Sequence, residues 1–158
     1  MRTRSASASG FVAMGIERAF PNITTHDPTR FYPKDGVLPA VVAVRDQTGA
    51  WDAVGQSRQL VLSDRSTVIE TLTVVNSPDV FGYRLTDFTG LFGTLVAWAE
   101  SEWRFTSVNG GTSIVWRYSY TARTGWGLVV GAIVRFAWAP YMRKVLPPIL
   151  ASVENLRA

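Results

Sequence analysis

The sequence predicts an α+β domain in which an antiparallel sheet of about seven strands precedes a long C-terminal helix. The middle of the chain alternates apolar and polar residues with a period of two, which is typical of antiparallel strands with one wet face. Asn109-Gly110 supplies the turn of a two-residue hairpin. The most apolar segment, 124–150, is interrupted by Arg135 and Pro140. We therefore expect a buried helix there and no membrane span.

Length and composition limit the classes of protein that the chain can represent. Its 158 residues suit a single domain, which we expect over residues 9–158, with residues 1–8 as a flexible tail. Cysteine is absent and there is one histidine, so we expect no metal site, and nothing in the sequence implies a cofactor. With no thiol and no signal peptide, we expect a cytoplasmic protein.

The charge of the chain bears on its partners. The net charge is +4, but the arginines are dispersed along the strands and do not form one cluster. Dispersed charge is typical of a solvated surface, so we expect no nucleic-acid binding. The positive net charge is compatible with transient contact with an anionic membrane surface.

The N-terminal part is predicted to begin with a strand at 11–20. Segment 21–37 is broken by prolines and allows only short helices. In it, Asp27-Pro28 is a good cap and first-turn pair for such a helix. We expect the order strand, short helical segments, six strands and long helix.

The register of the hairpin at 98–123 follows by counting from its turn. Trp103 then faces Trp116, and Glu102 faces Arg117, so aromatic residues meet on one face and opposite charges on the other. The small residues at one end of the inner face leave room for a cavity. Five residues of this face are candidates for contact with a ligand: Ser101, Trp103, Trp116, Tyr118 and Tyr120.

A second hairpin is predicted at 58–75, with a tight turn around Asp64-Arg65. In this register Val61 faces Val68 and Gln59 faces Glu70, which places Gln59 and Glu70 on the inner face. Arg58 falls on the outer face, where it would be a surface residue.

The next turn, at 76–79, is predicted to bring Val74 opposite Phe81 and Leu72 opposite Tyr83. Tyr83 then lies on the same inner face as the carboxylate of the preceding strand.

Several segments together resemble a known superfamily. They are AWDAVGQSR, LVLSDRSTVIE, FGYRL and EWRF…NGGTSIVWRY, followed by the long C-terminal helix. Over roughly residues 40–157 the chain resembles the START-related (SRPBCC) superfamily, which includes polyketide cyclases, lipid-transfer domains and birch-pollen-type allergens. The resemblance implies a helix-grip fold, in which a curved antiparallel sheet wraps the C-terminal helix and encloses a cavity for an apolar ligand.

Glu70 and His26 are the candidate catalytic residues. A carboxyl on an apolar inner face is expected to have a raised pKa, which suits a general acid, a base or a ligand anchor. Alternatively, Glu70 is a structural carboxylate bonded to Gln59 or to an arginine, or a one-residue register slip places it in water. His26 can be a proton shuttle at the cavity mouth or a plain loop residue. The candidate ligand-binding residues are Gln59, Glu70, Tyr83, Ser101, Trp103, Trp116, Tyr118, Tyr120 and Ile133.

Three functions are consistent with these features. The leading hypothesis is binding or transport of a hydrophobic small molecule, lipid-like or polycyclic, in an internal cavity. The second is a metal-free enzyme of the polyketide cyclase or dehydratase kind, in which Glu70, His26 or a tyrosine transfers protons. The third is a protein-interaction module with a collapsed cavity.

Overall fold

A computed structural model describes residues 1–157 and shows one sheet with helices on its concave side. The sheet contains seven antiparallel strands in the order β1-β7-β6-β5-β4-β3-β2. This is the predicted fold class and the helix-grip arrangement. The strands are β1 Thr3–Val12, β2 Val41–Arg45, β3 Ser57–Leu62, β4 Thr67–Asn76, β5 Val80–Thr86, β6 Val96–Val108 and β7 Gly111–Ala122.

The helices occupy three places in the chain. Two short ones follow β1, a third precedes β6, and a long helical region ends the chain. Their bounds are α1 Ile16–Thr24, α2 Pro28–Phe31, α3 Gly90–Leu95, α4 Gly127–Ile133 and α5 Ala139–Glu154. A π-helical segment, Val134–Trp138, joins α4 to α5, and a short 3-10 turn, Asn155–Arg157, follows α5.

The N-terminal strand corrects two expectations. Residues 1–8 are not a tail, since β1 begins at Thr3 and pairs with β7 as far as Val12. The predicted strand over 11–20 is also wrong, because β1 ends at Val12 and α1 begins at Ile16. The strand also packs closely against the C-terminal helix just beyond this segment. A side chain added at Gly10 would collide with Leu150 of α5.

The short helix at Asp27-Pro28 is confirmed. The Asp27 carboxylate accepts a hydrogen bond from the backbone N–H of Thr29 at 2.9 Å, as an N-cap does, and Pro28 opens α2. Helix α3 was not predicted, and its sequence, GLFGTL, contains two glycines that weaken a helical signal.

The β6–β7 register is confirmed in full. Trp103 pairs with Trp116 and Glu102 with Arg117 around the Asn109-Gly110 turn. The two indole rings stack with centroids 4.8 Å apart and planes inclined by 17°. This stack forms the floor of the concave face.

The β3–β4 register differs from the prediction by one residue. Arg58 pairs with Glu70, and Gln59 pairs with Ile69. The loop has three residues between Leu62 and Ser66, and its last residue, Arg65, adopts a left-handed φ of 71°. A one-residue slip reverses the faces of a strand. Arg58 therefore points inward and is buried, and the inward placement of Gln59 was wrong.

The β4–β5 pairing is partly as predicted. Leu72 faces Tyr83, but a bulge follows, so that Val74 faces Gly82 and Phe81 faces Val75. The extra residue bends β4 and exposes Val74. Tyr83 keeps its inward orientation.

The C-terminal helical region is continuous over Gly127–Glu154. Pro140 lacks a backbone N–H, and the wider π-helical turn lies immediately before it, where an ordinary α-helical bond would need that donor. Pro147 and Pro148 lie inside α5 without ending it. None of the helices in residues 1–157 is both long and apolar enough to cross a membrane, as Arg135 and Pro140 had indicated.

Candidate functional site

A cavity lies between the concave face of the sheet, the α1–α2 segment and the C-terminal helix. The volume that the centre of a water molecule can reach is about 100 Å³. The volume of all space outside protein atoms, including the mouth of the cavity, is about 940 Å³. The wall is mainly aromatic and aliphatic. Its polar members include Arg58, Glu70, His26 and several tyrosines.

A buried ion pair on β3 and β4 is the main polar feature of the wall. Arg58 Nε donates to Glu70 Oε1 at 2.7 Å, and both side chains are less than 10% exposed. The Arg58 guanidinium also stacks on the Trp51 ring, 3.9 Å from its centroid. The charge of Glu70 is thus balanced by an arginine, which was one of the interpretations of this carboxylate.

Trp51 reaches the cavity from the loop before β3. Its backbone takes a left-handed φ of 61°, which is uncommon for a bulky residue, and its side chain is 2% exposed. The ring packs against both Arg58 and Tyr83. The loop conformation therefore places the indole ring over the Arg58 guanidinium.

His26 lines the cavity and is held by two hydrogen bonds. Its Nδ1 donates to the carbonyl of Ile23 at 2.7 Å, which leaves Nε2 to accept from the Tyr32 hydroxyl at 3.1 Å. The pKa of His26 is lowered to about 4, mainly by burial and to a lesser extent by nearby Arg58, against the opposing effects of the Ile23 carbonyl and Asp27. The imidazole is neutral near pH 7, so it cannot donate a proton as an imidazolium there.

The neutral His26 predicts a pH dependence of stability. Its pKa is lower in the folded state than the unfolded value of about 6.5, so the unfolded chain binds more protons between these values. The free energy of unfolding should therefore fall as the pH drops from about 6.5 to about 4, by at most about 3 kcal/mol from this group.

Urea denaturation at several pH values, for the natural protein and H26Q, measures this contribution as a difference. The fall in the free energy of unfolding between about pH 6.5 and pH 4 should be smaller in H26Q. Identical pH profiles for the two proteins would contradict the neutral buried state of His26.

The tyrosines of the cavity stay protonated. Burial raises the pKa of Tyr32, Tyr118 and Tyr120 well above 10, and raises that of Tyr83 and Tyr141 as well. A protonated phenol is a hydrogen-bond donor and a very weak acid at pH 7. Two of these donors are already used within the protein, since Tyr32 donates to His26 Nε2 and Tyr141 donates to the Pro33 carbonyl at 2.8 Å.

Six of the sequence-derived candidates line the cavity: Glu70, His26, Tyr83, Trp103, Tyr118 and Tyr120. Their contact with a ligand stays a prediction. Four others do not line it. They are Gln59, which faces outward, Ser101, Trp116 and Ile133.

The last three of these have other positions. The Ser101 hydroxyl accepts a hydrogen bond from Trp116 Nε1 at 3.0 Å, so these two buried polar groups are partners of each other. Ile133 lines a small separate recess under α4.

The cavity residues that were not among the sequence-derived candidates include Tyr32, Trp51, Arg58, Trp138 and Tyr141. The predicted tight turn around Asp64-Arg65 shifted the β3–β4 register by one residue, so Arg58 was assigned to the outer face. Trp51 and Tyr32 lie in loops, where no periodicity reports orientation. Trp138 and Tyr141 belong to a helix that is apolar nearly all round.

Comparisons with known proteins agree with this architecture. Residues 5–153 match the family described as polyketide cyclase / dehydrase and lipid transport. No curated protein matches the chain. Norcoclaurine synthase of Thalictrum flavum, in complex with a transition state analogue, superposes with a TM-score of 0.73 at 11% identity, over 99% of this chain and 98% of that one.

Two further structures have the same fold. The Zhui aromatase/cyclase from a Streptomyces species gives a TM-score of 0.71 at 14% identity, covering 99% of this chain and 97% of that one. Ara h 8.0201 gives 0.64 at 13% identity, covering 95% and 99%. At these identities the likeness establishes the fold alone. The family match spans nearly the whole chain, and the protein therefore belongs to the polyketide cyclase / dehydrase and lipid transport family of the SRPBCC superfamily.

Proposed function

We propose that the protein binds a small aromatic or polycyclic ligand that carries hydrogen-bond acceptor oxygens. The observation that carries this proposal is the Arg58–Glu70 ion pair, which is buried in an aromatic cavity. A buried ion pair contributes little to stability compared with apolar residues of similar volume. Its position in the wall of a cavity supports a role in ligand recognition.

The shape and lining of the cavity support an apolar body for the ligand. Small-molecule sites are typically concave, mainly apolar and furnished with a few polar groups that orient the ligand. Here Trp103, Tyr118 and Trp138 present aromatic surface. A planar ring system gains from offset or edge-to-face contact with such side chains.

The polar groups support acceptor oxygens on the ligand. Within the described part of the chain, Arg58 and Glu70 are joined by a single Nε–Oε1 bond, which does not use the terminal guanidinium nitrogens. Those N–H groups and the protonated phenols are donors. Carbonyl, phenolic or carboxylate oxygens are the complementary groups. Trp51 holds the guanidinium in place before a ligand arrives.

Ligand binding can be tested by filling the cavity. Val68 lines it, whereas Val115 lies on the exposed outer face of β7, so V68F and V115F add the same group in two environments. We expect V68F to lower the affinity for an apolar fluorescent probe by about tenfold or more, with V115F unchanged. Native mass spectrometry of the purified protein would identify any ligand retained. Equal probe binding by both variants, each confirmed as folded by circular dichroism, would contradict an internal site.

An enzymatic role is the second candidate, because a carboxylate and a neutral imidazole line one cavity. In a cyclase or dehydratase, the cavity would fold a reactive polyketone and Glu70 or His26 would accept a proton. Replacing Glu70 with Gln removes the base but keeps a similar shape. Turnover lost with binding retained would favour the enzyme, whereas a ligand recovered unaltered from the natural protein would favour the carrier.

The interaction module with a collapsed cavity has less support. The bulky residues Trp103 and Trp116 stack on each other, and a cavity stays open beside Trp103. Binding of the apolar probe therefore also separates this reading from the first two.

A further inference from the structure

A second surface, distinct from the cavity, lies where the edge strand β1 meets the C-terminal helical region. We call it the β1–α4 face. A groove there is lined on one side by residues 4–7 of β1 and on the other by Leu128, Arg135, Phe136, Ala139 and Arg143, among others. An adjoining hollow is lined by residues 1–2, 123–125 and 127–128.

The charge of this face is of one sign. The residues lining the groove and the hollow include five arginines and no aspartate or glutamate. Among residues 1–157, none of these arginines forms an ion pair: Arg2, Arg4, Arg123, Arg135 and Arg143. The fold therefore brings five of the dispersed arginines of the sequence together on this face.

Arg4 is the most constrained of the five. It points inward from β1 and packs against Gly131, where an added side chain would lie 3.1 Å from Arg4 Nε. That Nε is buried and lacks a hydrogen-bond partner among the described residues. A buried donor without an acceptor is uncommon in native proteins. The groove therefore contains the positively charged side chain of Arg4 with no acidic partner among the described residues.

Exposed apolar side chains accompany these charges. Leu128 is 79% exposed and Phe136 is 71% exposed, while Trp126 and Val129 are each about 40% exposed. Leu128, Ala132, Arg135, Phe136, Ala139 and Arg143 recur every three or four residues, so they form one outward stripe of the helical region. Arginine beside leucine, phenylalanine and tryptophan is the composition of helices that lie in a membrane interface.

We propose that the β1–α4 face docks peripherally on an anionic membrane surface. The arginines meet the phosphate and carboxylate groups of anionic lipids, and Leu128 and Phe136 enter the boundary between headgroups and acyl chains. A nucleic acid would match the arginines but would leave these apolar side chains in water. A two-fold contact with a second copy would bring the arginine clusters of both chains together, and like charges repel. This docking does not depend on what the cavity binds.

Vesicle flotation tests the proposal with the intact protein. The probes are vesicles of phosphatidylcholine alone and of phosphatidylcholine mixed with phosphatidylserine. We expect binding to the mixed vesicles only, weakened by salt. Because each arginine near an anionic surface favours binding several-fold, R135E/R143E should lower the partition coefficient by about tenfold or more.

A matched variant separates this face from net charge. R18E/R45E makes the same change in charge at exposed positions outside the face, and each double variant lowers the net charge from +4 to 0. We expect R18E/R45E to keep most of the binding. The variant L128N/F136N leaves all charges in place and should also weaken binding, which tests the apolar contribution independently of R135E/R143E.

Three results would overturn the proposal. The natural protein could ignore anionic vesicles, or the two charge-reversal variants could lose binding equally. Sedimentation velocity could instead show a concentration-dependent dimer that L128N/F136N abolishes, which would assign the face to a second copy.

Discussion

Replacing Arg58 with methionine is expected to destabilise the protein by about 3–5 kcal/mol, because it leaves the Glu70 carboxylate buried and unpaired. Methionine keeps much of the volume against Trp51 but supplies no charge. The loss would be measured by urea denaturation monitored by circular dichroism. This loss is a large fraction of the whole free energy of unfolding of a domain of this size.

An exposed ion pair and a double variant serve as controls for this effect. The Arg84–Glu100 pair has the same chemistry at 2.8 Å, but its side chains are about half exposed, so R84M should cost at most about 1 kcal/mol. Removing both buried charges in R58M/E70L should restore much of the stability lost in R58M, since no uncompensated charge remains. If R58M cost no more than R84M, the Arg58–Glu70 pair would not be a buried interaction in solution.

Truncating Trp103 to alanine is expected to cost about 3–5 kcal/mol, as large-to-small changes at buried aromatic sites do. The side chain is 2% exposed and stacks on Trp116, and its ring also contacts that of His26. The change removes the stack and enlarges the cavity. A W103A protein that still folds should therefore bind larger apolar probes than the natural protein does.

Trp126 provides the matched comparison for Trp103. It is 40% exposed at the start of α4, so W126A should change the free energy of unfolding by no more than about 0.5 kcal/mol. W103F keeps an aromatic ring and should fall between the two alanine variants. Similar losses in W103A and W126A would show that the Trp103–Trp116 stack does not contribute to the core.

The features that could be predicted from sequence are those whose cause is local. The β6–β7 register was correct because Asn109-Gly110 specifies a two-residue turn, and because only one register satisfies both faces of the hairpin. The α2 cap was correct because Asp27-Pro28 is a self-contained signal. Strand alternation likewise located the aromatic residues that the strands contribute to the wall, including Tyr83, Trp103 and Tyr118.

Two of the errors have their physical origin in backbone conformations that cannot be predicted from the local sequence. Arg65 and Trp51 adopt left-handed φ values that cost energy for residues with a side chain, so packing elsewhere must stabilise them. The first shifts the β3–β4 register and turns Arg58 inward. The second brings an indole onto its guanidinium.

The sequence by itself determined the α+β class, the strand order along the chain and the best hairpin, since periodicity and turn chemistry act over a few residues. Only the tertiary structure decided that Arg58 meets Glu70, that His26 is held neutral, and that five arginines collect on one face. These features depend on which distant segments share a cavity or an edge. Side-chain burial and the left-handed residues that set it are properties of the whole packed chain.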